Sequence, residues 1–446
     1  MAKRRKTPSR KKAGDGWSPS HVRRLFWRAG FGATETQAKE WARRGKTATL
    51  NHLLDPGAAE LRGPEPRIDG RGLDPVNEFG HDKLWWLDRM VRSNRPLEEK
   101  MTLFWHDHFA TRHQPTPTML DQNRTLRARG LGSFAELLRA MTFDPGLADF
   151  LSLTENVAEA PNENFARELM ELFTLGSGYT ETDIREASRA LTGLRARTNS
   201  AGLVTSVYFD EAQHDGGRKT VFGQTGAWGP QDILDLCLVH PAHGPFMVSK
   251  LWDFFVGTPI PAGVRSRLAG AYVASGLQLR PLVRSILSSR QLYANLVRPD
   301  MVKWPAVLVA GQLHAMGAGV RIMDWNWLMA SMGQSLFSPP SVAGWEWGPR
   351  WLSSNAMRAR FGVANAIVRE DGPGEVRPQD VRTLKPKFQV SKALHAVGSP
   401  QISSHTRREL DGLVREYGRE PGLWERHQLQ RSLRHLIVAG PDNQLC

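Results

Sequence analysis

A chain of 446 residues, 40% hydrophobic and 23% charged, carries enough apolar material for a packed core and is not disordered as a whole. Its two cysteines, Cys237 inside an apolar run and Cys446, exclude a disulfide framework and a cysteine-based zinc site. The net charge is +14, but seven cations and no acid fall within the first twelve residues, so half the excess belongs to a tail and the remainder is too thinly spread to mark a nucleic-acid-binding fold.

Residues 1–17 read as a basic tail without apolar periodicity, in which residues 3–12 offer a weak, salt-sensitive contact to a polyanion. No apolar segment follows the basic start, and no run approaches the roughly 20 apolar residues that cross a bilayer. The expected compartment is the cytoplasm, with no transmembrane segment.

Helical spacing dominates residues 18–365, the predicted core domain. Ser18 or Ser20 caps a first helix through Leu25 and Phe26, and a second around 36–44 ends at Gly45. A third, 46–54, stops at Pro56, and the Gly/Pro-rich stretch 57–80 is loop. Stronger helices follow at 81–93 and 97–109, then at 133–142 and 163–175. Thr180 and Asp183 form a capping box for a helix ending at Gly193. Val204, Val207 and Phe209 before a Gly-Gly turn, with Val221 and Phe222 after it, predict one short hairpin. Pro230 opens the next helix, and others lie near 244–256, 264–288, 300–316, 324–336 and 353–368, with a Pro/Gly/Trp-rich loop at 338–352. Residues 366–380 read as a linker and 381–446 as a polar helical appendage. The fold class is mostly α: a multi-helix globular bundle with a small β-hairpin insertion.

Familiar catalytic motifs are absent. Gly45-Lys46-Thr47 resembles the end of a phosphate loop, but Glu40 stands where its first glycine must be. There is no HExxH pair, no G-x-S-x-G elbow and no dinucleotide fingerprint. Three polar segments stand out instead. In the first, His106 and His108 flank Asp107 at a helix end, as ligands, general bases or buried structural imidazoles. In the second, Asn164, Glu168 and Glu171 stack on one helix face with Arg167 as the only nearby cation. Such stacked carboxylates either share a cation or proton or bridge to arginines on neighbouring helices. The third is a Gly-Gly turn presenting His214, Asp215 and Lys219 on a loop. Weaker signals are His240, Lys250 and the cluster Trp345, Trp347 and Trp351.

Six stretches carry a resemblance: HVRRLFWRAGFG, EEKMTLFWHDHFAT, PNENFARELMELFTLGSGYTETDIREASRALTG, QHDGGRKTVFG, HPAHGPFMVSKL and SPPSVAGWEWGPRWL. In this order they resemble a bacterial family catalogued as domain of unknown function eighteen hundred, over roughly residues 18–365. The resemblance implies a helical fold and assigns no activity. It also implies relatives that often carry export signals, where this chain has a basic tail.

Two functions compete on these residues. One is a metal-assisted hydrolase acting on an anionic substrate. Its Zn, Mn, Fe or Mg would be held among His106, His108, Glu168, Glu171, His214 and Asp215. His108, Glu168, Glu171 and His214 would work on the reaction, and Asn164, Arg167 and Lys219 would bind the substrate. The other is a non-catalytic helical binding or assembly module, whose polar residues fix helix packing while the basic tail meets a polyanion.

Overall fold

The computed structural model describes residues 16–112, 114–296, 299–417 and 422–446; the stretch 3–12, expected from sequence to offer a polyanion contact, lies outside them. The described chain is mostly helical, with two small two-stranded antiparallel sheets. Its buried apolar side chains run from Val22 to Ala439 in one contiguous cluster. No helix among the described residues is long and apolar enough to cross a membrane.

Local chemistry sets many boundaries. Ser18 is the N-cap of the helix Pro19–Arg28, with its hydroxyl 2.8 Å from His21 Nδ1. Thr180 Oγ1 accepts from Asp183 N at 3.2 Å while Asp183 Oδ2 accepts from Thr180 N at 2.8 Å, which closes the predicted capping box. Pro230 opens the helix Pro230–Val239. The helix Pro96–His108 is the central strut, since all but Pro96 and Glu98 are buried along it. Its Glu99 is fully buried and takes Arg127 through both carboxylate oxygens, at 2.7 and 2.9 Å, and Arg89 at 3.0 Å.

Several expectations change. Thr116–Arg129 is a helix that apolar periodicity misses, because Gln122 and Asn123 are buried alongside Met119, Leu120 and Leu126. The predicted helix 264–288 is two, Ala262–Ala274 and Leu279–Leu287. Gly276 and Leu277 both take positive φ between them, a conformation no right-handed helix continues through. The single hairpin is replaced by two. β1 (Leu194–Thr198) pairs with β2 (Val204–Phe209), and β3 (Lys219–Val221) pairs with β4 (Gln224–Gly226), so the two sides of the Gly-Gly turn do not pair with each other.

Residues 381–446, read from sequence as an appendage, are built into the same core. The helix Leu423–Ala439 packs along Ser354–Val368. Cys446 exchanges backbone hydrogen bonds with Met301. Arg360, 1% exposed, donates to Trp351 O, Gln444 Oε1 and Lys303 O at 2.8–3.0 Å.

Candidate functional site

The segment 163–175 does not form one α-helix. A short helix, Asn164–Glu168, passes into a π-turn, Leu169–Thr174. Leu175 N and Gly176 N both reach back to Met170 O at 2.9 Å, and Thr174 Oγ1 donates to Leu169 O. π-turns are rare and recur at functional positions. Gly176 ends the turn at φ +72°, and a Cβ there would come within 2.7 Å of Phe246.

The last carbonyls of a helix have no donor within it. Here three successive ones are met by side chains from other segments. Lys250 Nζ donates to Leu172 O at 3.2 Å, His108 Nε2 to Phe173 O at 3.1 Å, and His243 Nδ1 to Thr174 O at 3.0 Å. Because a carbonyl only accepts, His108 carries its proton on Nε2 and His243 on Nδ1. Both rings are neutral. Burial holds His108 well below the usual imidazole range and His243 at about 4.

Asp107, the residue before His108, borders this hub. Its Oδ1 accepts from Trp345 N at 2.6 Å and its Oδ2 from Trp347 Nε1 at 2.9 Å, so the carboxylate pins the Trp-rich loop to the central helix. Gly344 has φ +85°, and a Cβ on it would lie 2.3 Å from Asp107 Oδ1. Burial pushes Asp107 up to about 7 and Lys250 down to about 8, while the charge of each opposes the other's shift. Lys250 also sits at the negative end of the π-turn, where a cation is favoured.

The remaining predicted residues are held elsewhere. His106 is fully buried among Trp86, Phe337 and Trp345, and among the described residues neither ring nitrogen has a partner in good hydrogen-bond geometry. Burial holds it at about 3, opposed by the nearby Gln122 side-chain amide. Arg167 is taken by Glu181 through two bonds of 2.8 and 2.9 Å and by Glu163 at 3.2 Å. Asn164 Nδ2 donates to Leu151 O at 3.3 Å. Glu171 is exposed and Glu168 half-buried, and among the described residues neither has an ion pair. Burial, then the charge of Glu171, raises the Glu168 carboxyl above its ordinary range.

The third segment folds on itself. His214 Nδ1 lies 2.9 Å from Thr192 O, and Asp215 Oδ2 accepts from Arg189 Nε at 2.8 Å. Lys219 is 1% exposed and donates to Asp215 O and, at 3.1 Å, to Trp228 O. Among the described residues no three of His, Cys, Asp or Glu gather into a group able to hold a metal ion.

Sequence reasoning placed His108 here and missed the roles of Asp107, His243 and Lys250. A signal existed: His243, Met247 and Lys250 follow helical spacing, so an imidazole and an ammonium share a face with core residues.

The family described as "Protein of unknown function (DUF1800)" matches residues 24–445, and the chain belongs to it. The match takes in residues 366–445, which lie beyond the stretch that the sequence resemblance covers. No curated protein and no solved structure matches the chain.

Proposed function

We propose that this family member is a non-catalytic helical binding module, whose motif residues build a rigid core and whose basic tail meets a polyanion. The observation that carries this reading is the commitment of His108, His243 and Lys250 to three consecutive carbonyls, Phe173, Thr174 and Leu172. A buried neutral imidazole whose N–H is bonded to a carbonyl is poorly placed to take a proton from a substrate, because protonation is opposed by desolvation. The same side chains, removed, leave buried acceptors unpaired, which is the behaviour of a packing network.

The partner reading rests on the seven cations of the first twelve residues. Deleting residues 1–16 should abolish retention on heparin or duplex DNA, and raising salt from about 50 to 200 mM should weaken binding of the full chain steeply. Equal binding with and without the tail would overturn the polyanion reading. A metal-assisted hydrolase is the second reading, favoured by Glu168 and Glu171, two neighbouring carboxylates without an ion pair among the described residues. Elemental analysis separates the two. Stoichiometric Zn, Mn, Fe or Mg in purified protein, lost in Glu168→Ala with Glu171→Ala, would support the enzyme and overturn the non-catalytic reading.

A further inference from the structure

A cavity of about 620 Å³ opens beside the Trp-rich loop, among segments 330–333, 340–346 and 350–356. Small-molecule sites run from roughly 300 to 1,000 Å³. The loop is held from behind, since Asp107 accepts from Trp345 N and Trp347 Nε1. On another side Ser353 Oγ caps the helix Ser354–Val368 by accepting from Ala356 N at 3.4 Å. A wall fixed in this way is set before any ligand arrives, which lowers the cost of binding one.

Buried indole N–H groups ordinarily find an acceptor. Trp105, Trp252 and Trp347 give theirs to Gly130 O, Thr258 O and Asp107 Oδ2, at 2.8–2.9 Å. Trp345 and Trp351, only 4 and 2% exposed, both line the cavity, and among the described residues neither Nε1 has an acceptor. Nor is either atom sealed in the core, as the Nε1 atoms of Trp86 and Trp325 are. The Nε1 edge of Trp351 faces Gly333, another wall residue: a Cβ on Gly333 would lie 3.5 Å from Trp351 Cδ1 and 3.6 Å from Nε1. The Trp351 donor therefore looks to whatever fills the cavity.

The rest of the wall offers both senses of hydrogen bond. Ser341 Oγ accepts from Ala343 N at 3.3 Å and keeps its own proton to give. Asn355 Nδ2 is spent on Ser331 O at 3.2 Å, which leaves its Oδ1 to accept. Glu346 and Arg350 pair with each other, so the wall carries no net charge. Ala330, Met332 and Ala343 add apolar surface. A hydroxyl both gives and accepts a hydrogen bond, and a sugar ring presents several hydroxyls around an apolar C–H face. We infer that this cavity binds an uncharged sugar unit. Trp351 Nε1 donates to a sugar oxygen, Ser341 and Asn355 add the remaining polar contacts, and Ala343 lies against the ring. The site needs neither the basic tail nor a metal ion.

The experiment probes the full-length protein on an array of immobilised neutral glycans (hexoses, N-acetylhexosamines and their oligomers) with sulfated glycans alongside. Each retained glycan is then titrated in solution by tryptophan fluorescence, with glycerol at equal molarity as the baseline. A saturable change with at least one neutral glycan is expected. Trp351→Phe should weaken that affinity about ten-fold, as loss of one hydrogen bond does. Ala343→Phe, a ring added at an exposed wall position, should abolish it. Retention of sulfated glycans alone, unchanged in Ala343→Phe, would belong to the basic tail and would overturn the sugar site. So would the absence of any neutral ligand, or equal affinities in wild type and Ala343→Phe. Because Ala343 is exposed, its variant keeps the test decisive even where Trp351→Phe does not fold.

Discussion

Replacing His243 with leucine tests the hub most directly. The imidazole is fully buried and bridges Thr174 O, at 3.0 Å from Nδ1, and Tyr272 Oη, at 3.3 Å from Nε2. Leucine fills similar space but leaves both oxygens unpaired. Each unsatisfied buried group costs about 1–3 kcal/mol, and the better apolar burial returns part of it, so the net loss at pH 7.5 is about 2–4 kcal/mol. The pH dependence then distinguishes a neutral buried ring from any other cause. His243 is held at about 4 in the folded chain by burial, against 6.5 in the ordinary range. A depressed imidazole pKa means that, as pH falls below 6.5, the unfolded chain takes up a proton the folded chain refuses, and stability drops until about pH 4. At pH 5 that drop is about 2 kcal/mol in the wild type and absent in the leucine variant. The gap between the two proteins should therefore shrink by about 2 kcal/mol between pH 7.5 and pH 5. Urea unfolding by tryptophan fluorescence at the two pH values measures it. A gap that stays constant, or widens toward acid, would show that the ring is charged or solvated and would refute the hub.

Other outcomes follow from the same geometry. Gly344→Ala places a Cβ 2.3 Å from Asp107 Oδ1 at a φ of +85°, and should cost more than about 2 kcal/mol in urea unfolding; a neutral result would mean the loop does not rest on Asp107. Asp107→Asn keeps one acceptor for Trp345 N or Trp347 Nε1 and turns an amide N–H₂ toward the other. A loss of about 1–3 kcal/mol is expected, with a red-shifted tryptophan emission as the loop loosens. Glu168→Gln combined with Glu171→Gln should leave stability within about 0.5 kcal/mol, since neither carboxylate has an ion pair to lose among the described residues; a larger loss in chemical denaturation would place them in a structural contact.

What the chain encodes locally was legible. The Thr180–Asp183 box, Pro230 at a helix start and Gly45 at a helix end each act within a few residues, so composition and spacing suffice to read them. The mostly helical class follows from the same short-range periodicity. The pairing of Val204–Phe209 was misread because strand-forming residues say nothing about which strand will receive them; β1 lay upstream of the turn that drew attention. The helix Thr116–Arg129 was missed because its buried face is partly amide, and the Gln122 amide N–H groups donate to Thr111 and Asp144, outside the helix.

The candidate site shows the same division more sharply. His106, Asp107 and His108 are consecutive and look like one motif, yet they point into an aromatic nest, a tryptophan loop and a helix end. Which of these each side chain meets depends on groups brought in by folding: the donors on Leu172, Phe173 and Thr174 come from residues 65 to 78 positions away in the chain. Sequence alone determined where most of the helices are and which polar residues lie among apolar ones. Only the tertiary structure decided what those residues do, because a hydrogen bond or an ion pair is set by distances of about 3 Å between groups whose separation along the chain carries no such information.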